Sequence, residues 1–184
     1  MSIRARRLRR DFEKVTQELA GSKWATVSVV SGDPPDHYRV VYRVNGLVWD
    51  DSAQAAKPCG EHTVDIFLPM GYPKQPPRCV MRRPVWHPNI GDYVCIGDYW
   101  SAGVTLVDII AHIADMIQYR SYNTSSPVNR LAAAWAERNK RSFPVGVRSI
   151  VPPSNDSPRE QLVVDIPPAA NEIDISLGPT RDRK

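Results

Sequence analysis

Apolar residues recur at helical spacing along the first segment of the chain, where Leu8, Phe12, Val15 and Leu19 predict an amphipathic helix and Gly21 supplies its stop. The pattern then changes period. Thr26–Val30 reads as a strand closed by the turn-forming run Ser31-Gly32-Asp33-Pro34-Pro35. From Tyr38 to Val44 the alternation is regular, with Tyr38, Val40, Tyr42 and Val44 on one face. Asn45-Gly46 signals a tight turn or bulge before Leu47–Trp49; a polar loop follows, and Thr63–Leu68 forms a further strand.

Proline changes the texture of the middle of the chain. Pro69, Pro73, Pro76, Pro77, Pro84 and Pro88 exclude helix there, and Arg78–Arg82 is the one stretch that reads as a strand, the last of an antiparallel meander. Irregular chain is expected from Pro84 to Gly103, and loops of that length inside compact domains usually serve a function. Two helices follow. Leu106, Ile109, Ile110, Ile113, Ala114 and Ile117 form the broad stripe of a core helix, with Thr105 as its N-cap and Asp108 three residues on. The next helix is expected to start with Ser126 as N-cap and Pro127 in its first position, to turn Leu131, Ala134 and Trp135 inward, and to end at Phe143-Pro144. The pattern is therefore α+β: an N-terminal helix, a four-stranded antiparallel meander, a long loop and at least two C-terminal helices. Beyond residue 143, Pro152-Pro153, Pro158, Pro167-Pro168 and Pro179 punctuate a segment poor in large core residues. The expected division is a domain over residues 1–143 and a Pro-rich tail over 144–184, flexible by default or docking on a partner. Within the tail, Leu162–Ile166 and Ile173–Leu177 are short strands or contact segments.

Composition bounds what such a domain can do. At 184 residues the chain holds one well-packed domain plus an appendage, and its 42% hydrophobic and 24% charged content is ordinary for a soluble protein. The arginine-dense start lacks the apolar stretch of a secretory signal, and no run has the length of a membrane span, so no membrane partner is expected. The net charge of +4 is unevenly placed, with Arg4, Arg6, Arg7, Arg9 and Arg10 crowding the first turns. The default reading is a solvated helix face; no aromatic residue is interleaved before Phe12, which argues against nucleic acid as a partner. Three cysteines without paired spacing argue against a disulfide framework and for a reducing, cytoplasmic setting. The four scattered histidines show no ligand spacing, so neither a metal site nor a cofactor is expected.

Chemistry concentrates between Tyr72 and Trp100, in the order Tyr72-Pro73, Pro76-Pro77, His87-Pro88-Asn89-Ile90, Cys95, Trp100. A cysteine on a Pro-bounded loop, with an asparagine shortly before it, suits acyl transfer through a thioester. Thiolate is both a good nucleophile and a good leaving group, and an amide can donate to the oxyanion formed on attack. Most cysteines, however, are packing residues. Cys79, inside a strand, fits that description, and Cys59 in a polar loop is read as incidental. His87 reads as a loop organiser rather than a base, and Asn89 either donates to an oxyanion or only pins the loop.

The order of elements together with these motifs resembles the ubiquitin-conjugating enzyme family. Tyr72-Pro73-Lys74-Gln75-Pro76-Pro77 matches its YPxxPP segment and His87-Pro88-Asn89-Ile90 its HPN signature. Val94-Cys95-Ile96-Gly97 stands where the active-site cysteine belongs, and Pro127-Val128-Asn129 resembles the PLN that opens a later helix. The resemblance covers residues 3–143. It implies that Cys95 receives a ubiquitin-like protein from an ATP-dependent activating enzyme as a thioester and delivers it to an amine, directly or with a ligase. Asn89 is implied for oxyanion stabilisation or loop ordering and His87 for loop ordering. The arginine-rich helix, through Arg6, Arg7 and Arg10, is implied as a docking face for the activating enzyme. Five residues between Asn89 and Cys95, and four between Cys95 and Trp100, make a loop shorter than in typical eukaryotic members, and the compact VCIGDYW run and the TLVDII helix resemble prokaryotic members. Where many relatives carry an acidic residue before the PLN segment, this chain has Ser125-Ser126. Ser126 and Asp98 are the candidates for orienting the acceptor amine.

Three other readings compete. A non-catalytic module of the same fold, binding ubiquitin-like partners, usually lacks the cysteine that is present here. A cysteine hydrolase needs a base near the thiol, which only the fold could supply by bringing His112 or His37 close. A basic nucleic-acid adaptor leaves the residues from Tyr72 to Trp100 unexplained.

Overall fold

The computed structural model describes residues 2–152, except for the side chain of Asp98. Helix α1 (Ile3–Glu18) is capped by Ser2, whose hydroxyl accepts from the Ala5 amide at 3.1 Å. Leu8, Val15 and Leu19 are buried as their spacing requires, while Phe12 stays partly exposed. The same face carries a buried carboxylate, Asp11. It accepts from Arg7 Nε at 2.8 Å, from the Tyr72 hydroxyl and from the Leu106 amide at 3.3 Å. One charge thereby ties α1 to the YPxxPP segment and to the start of a later helix.

Strands β1 (Ala25–Gly32), β2 (Pro35–Tyr42), β5 (His62–Phe67) and β6 (Arg78–Met81) form an antiparallel sheet in the order β1-β2-β5-β6. This is the four-stranded sheet the alternation predicts. Tyr38 pairs with Ile66 and Val40 with Val64, and all four are fully buried with Tyr42 on one face. Cys79 joins that face, and burial pushes its thiol up to about 12, so it packs as a neutral side chain.

Leu47–Trp49 leaves the main sheet. It lies in β3 (Gly46–Asp50), which pairs with β4 (Ala55–Cys59) as a separate hairpin between β2 and β5. A side chain at Gly46 would run into His62 and Ile117, so the hairpin leaves the sheet through a position where the backbone must approach its neighbours closely. Trp49 stacks on Trp86 at 4.4 Å and anchors the hairpin to the loop that leads to the site.

Helix α2 (Leu106–Ile117) opens on the expected capping box between Thr105 and Asp108. Its stripe of Leu106, Ile109, Ile110, Ile113, Ala114 and Ile117 is buried in the same core as the sheet, to which the Tyr42 hydroxyl donates at the Ile110 carbonyl (3.1 Å). Helix α3 (Arg130–Arg138) corrects the sequence reading. Its N-cap is Asn129, whose side chain accepts from the Ala132 amide at 3.0 Å, not Ser126. The Val128 and Asn129 amides both donate to the Pro88 carbonyl at 2.9 Å, which holds Pro127–Asn129 out of the helix and against the HPN loop. With the start moved, the inward face moves too: Ala132, Ala133 and Ala136 are buried, while Leu131 is 74% exposed and Ala134 is exposed. Trp135 is half-buried as expected. The helix ends at Arg138, and a 3-10 turn, Lys140–Ser142, leads to Phe143.

Past Pro144 the described chain runs along the domain. Ile150 is buried and its carbonyl accepts from the Ser22 hydroxyl at 2.5 Å, and the Arg148 guanidinium lies 4.0 Å from the centre of the Trp24 ring. The segments Leu162–Ile166 and Ile173–Leu177 lie outside the described residues. Among the described residues no helix is long and apolar enough to cross a membrane.

Candidate active site

The site is assembled around a fully buried imidazole. The Asn89 amide can only donate, so His87 Nδ1, 3.1 Å away, is its acceptor; Nε2 then carries the proton and donates to the Ser121 carbonyl at 3.2 Å. Tyr119 packs edge-on against the ring at 4.8 Å. Burial depresses the imidazole to about 3, so His87 is neutral and holds the loop rather than acting as a base. The unfolded chain, with a histidine near 6.5, binds a proton that the folded chain refuses between those values. Stability therefore rises with pH across this window and is lost as pH falls from about 6.5 toward 3. His62, also buried and lowered, acts in the same direction. Urea melts between pH 7 and 4.5 should show this loss, with a slope of up to about 1.4 kcal/mol per pH unit from His87. His87→Gln should flatten that slope, and an unchanged slope would assign the acid loss elsewhere.

Asn89 is buried and spends its whole side chain on the segment before α3. Its Nδ2 donates to the Asn123 carbonyl at 2.9 Å and to the Ser126 carbonyl at 3.3 Å, and its Oδ1 accepts from the Asn123 amide at 2.7 Å. Its own carbonyl accepts from the Cys95 amide at 2.9 Å. Both amide protons are engaged, so this arrangement pins the loop and leaves no donor aimed at an oxyanion.

Cys95 follows from that turn. Val94 before it is buried and donates its amide to the Cys79 carbonyl of β6 at 2.8 Å, and Ile96 after it is buried as well. The two apolar neighbours anchor the backbone on either side, and Cys95 between them is half-exposed. Gly97 then takes φ of 52°, a left-handed conformation that favours glycine, and starts the 3-10 turn Gly97–Tyr99 that makes the short return to Trp100 possible. Trp100 packs on the buried Tyr72 ring at 5.6 Å.

Two clefts meet at Cys95. One, of about 510 Å³, is walled by Pro76, Pro77, Tyr93 and Trp100. The other, of about 400 Å³, is walled by Asn89, Tyr99, His112, Tyr122, Asn123 and Ser126. An acyl group on the sulfur has room on one side, and an attacking nucleophile on the other.

Of the residues expected at the site, His87, Asn89, Cys95 and Ser126 are brought together. Ser126 is exposed and lends its carbonyl to Asn89. Asp98 belongs to the 3-10 turn beside Cys95, and its side chain lies outside the described part of the structure. The arginine cluster divides. Arg6, Arg9 and Arg10 are exposed, but Arg7 is only 15% exposed. Arg7 is held by Asp11 and by the carbonyls of Ala102 (2.6 Å) and Val104. It is a fastening inside the domain, not a free docking charge, because a buried carboxylate one turn on attracts it more than solvent does. Arg4 is likewise engaged, with Asp36 at 2.9 Å.

One residue was missed, and one was named only as a histidine that the fold could bring toward the thiol. Asp11, four positions after Arg7, was detectable as an i,i+4 ion pair on the apolar face. Of the two histidines that the fold could bring near the thiol, it brings His112 to the Cys95 cleft, which His37 does not line.

Comparison with known proteins agrees with this geometry. Residues 58–151, half of the chain, match the family model described as ubiquitin-conjugating enzyme, and that stretch contains the YPxxPP segment, the HPN loop, Cys95 and helices α2 and α3. The chain belongs to the ubiquitin-conjugating enzyme family. One curated relative is "Ubiquitin-conjugating enzyme E2 27" of Arabidopsis thaliana, 30% identical over 94 residues, which cover 48% of this chain and 46% of the relative. The matched region thus spans about half the length of the curated relative.

Proposed function

We propose that this chain is a thioester-carrying transferase. Cys95 accepts the C-terminal glycine of a ubiquitin-like protein from an ATP-dependent activating enzyme and passes it to an acceptor amine, directly or with a ligase. The observation that carries this reading is the placement of Cys95: a half-exposed thiol, held by Asn89 and bracketed by buried residues, between two clefts. Docking of the activating enzyme falls to the exposed Arg6 and Arg10 of α1. A cytoplasmic setting suits three cysteines without a disulfide among the described residues, and the VCIGDYW run with the TLVDII helix supports a prokaryotic-type member. The division into a catalytic domain over 1–143 and a Pro-rich tail over 144–184 belongs to the same proposal, with residues 144–152 lying along the domain and the rest of the tail as a partner-docking element.

Ubiquitin, an activating enzyme and ATP should give an adduct on gels that reductant removes. Cys95→Ser should convert it to a slower-forming, reductant-stable ester, since an oxygen ester resists thiols. An adduct that survives in Cys95→Ala would contradict the carrier role, and its absence from the wild type would favour a non-catalytic binding module.

A further inference from the structure

The acceptor amine must lose a proton when it attacks the thioester, and neither Ser125 nor Ser126, in the place where many relatives carry an acidic residue, is a competent base. We propose that His112, which lines the Cys95 cleft together with Asn89 of the HPN loop, is the catalytic base that takes that proton. The inference rests on the thioester reading above and assigns the one step it left without a residue.

Three observations support it. First, His112 interrupts the apolar face of α2. Its neighbours Ile109, Ile113 and Met116 are buried, whereas His112 is half-buried and lines the same cleft of about 400 Å³ as Cys95. Second, its ring is held in place. Tyr99, from the 3-10 turn that follows Cys95, stacks on it with centroids 3.9 Å apart and planes 6° from parallel. Third, among the described residues neither ring nitrogen is engaged in a hydrogen bond, whereas both nitrogens of His87 are spent.

The surrounding groups leave His112 able to act. On its own helix, the Asp108 carboxylate accepts from the Thr105 amide and hydroxyl, and Asp115 pairs with Arg120. Tyr99 and Tyr122 line the cleft with it together with Cys95, and His87, near enough to interact electrostatically, is a neutral ring. Burial lowers the His112 imidazole below its ordinary value against a smaller opposing pull from Asp115, so at pH 7 the ring is the free base.

The step balances without a further reactant. The amine nitrogen forms a bond to the thioester carbonyl carbon, the carbon–sulfur bond breaks and its electron pair leaves on Cys95 Sγ. The amine proton goes to His112, which returns it to the Cys95 thiolate. An amide and a free thiol result.

Single-turnover discharge of a ubiquitin thioester preformed on Cys95, after ATP is removed, tests this with two nucleophiles. Lysine is protonated at neutral pH and needs a base; hydroxylamine does not. His112→Gln should slow discharge to lysine about 100-fold and discharge to hydroxylamine far less. Added imidazole should restore lysine discharge in His112→Ala. The lysine rate of the wild type should also carry an extra proton dependence below pH 6.5 that His112→Gln lacks. Equal slowing with both nucleophiles and no imidazole rescue would show a merely structural role, and unchanged lysine discharge would dismiss His112 altogether. A wild type that forms no thioester would instead overturn the carrier reading itself.

Discussion

Asp11→Ala is expected to cost about 3–5 kcal/mol of folding stability, the usual consequence of removing one member of a buried ion pair. The carboxylate holds Arg7, the Tyr72 hydroxyl and the Leu106 amide, which belong to three segments distant in sequence. Its removal leaves a desolvated guanidinium with only the Ala102 and Val104 carbonyls, and leaves the Tyr72 hydroxyl and the first amide of α2 without a partner. Against a total stability of about 5–15 kcal/mol, that loss is a large fraction. Thermal melts should move down by roughly 10 °C. Asp11→Asn, which keeps the volume and one acceptor, should recover part of it. A wild-type melt for Asp11→Ala would show that the three segments are held by apolar packing alone. The consequence reaches the site, because Trp100 packs on Tyr72 and walls one of the clefts at Cys95.

Asn89→Ala should still load Cys95 but discharge it at least tenfold more slowly, with the loss arising from disorder of the 121–126 segment. The substitution frees two carbonyls and one amide there, those of Asn123 and Ser126, while leaving the backbone bond from Cys95 to residue 89 intact. Loading needs an accessible thiol; discharge needs the acceptor's wall in position. Amide hydrogen exchange separates the two roles considered for Asn89. If it orders the loop, protection at Asn123 falls together with the discharge rate. Slow discharge with Asn123 still protected would return Asn89 to an oxyanion role through some other arrangement of its side chain.

What could be read from the chain depended on how local the cause was. Helix α2 was legible in full, because a broad apolar stripe and a Thr105–Asp108 capping box are both contained in the sequence they describe. The start of α3 was not. Ser126-Pro127 is a sound local start signal, but the Pro88 carbonyl takes the Val128 and Asn129 amides, and a contact across forty residues of sequence outweighs the local preference. Strand β4 carries no β-branched or aromatic residue and contains Pro58, so it pairs with β3 against its own propensity. The arginine cluster looked like one solvated face, and only the burial of Asp11 distinguishes Arg7 from Arg6 and Arg10. At the site, His87, Asn89 and Cys95 lie within nine residues and share one loop, which made the loop legible as a motif. How Asn89 spends its amide, and the arrival of His112 at the cleft, depend on chain more than fifteen residues away and were not.

Mapping the adduct decides which sulfur carries the acyl group. The chain should be charged with ubiquitin, an activating enzyme and ATP, digested without reductant, and the acylated peptide identified by mass spectrometry. Three cysteines compete for the acyl group: Cys79 is buried with a raised thiol, Cys59 lies at the end of β4, and Cys95 lies between the clefts. The C-terminal glycine is expected on the sulfur of Cys95 and on neither of the others. Acylation of Cys59, or a thioester formed equally well by Cys95→Ala, would contradict it.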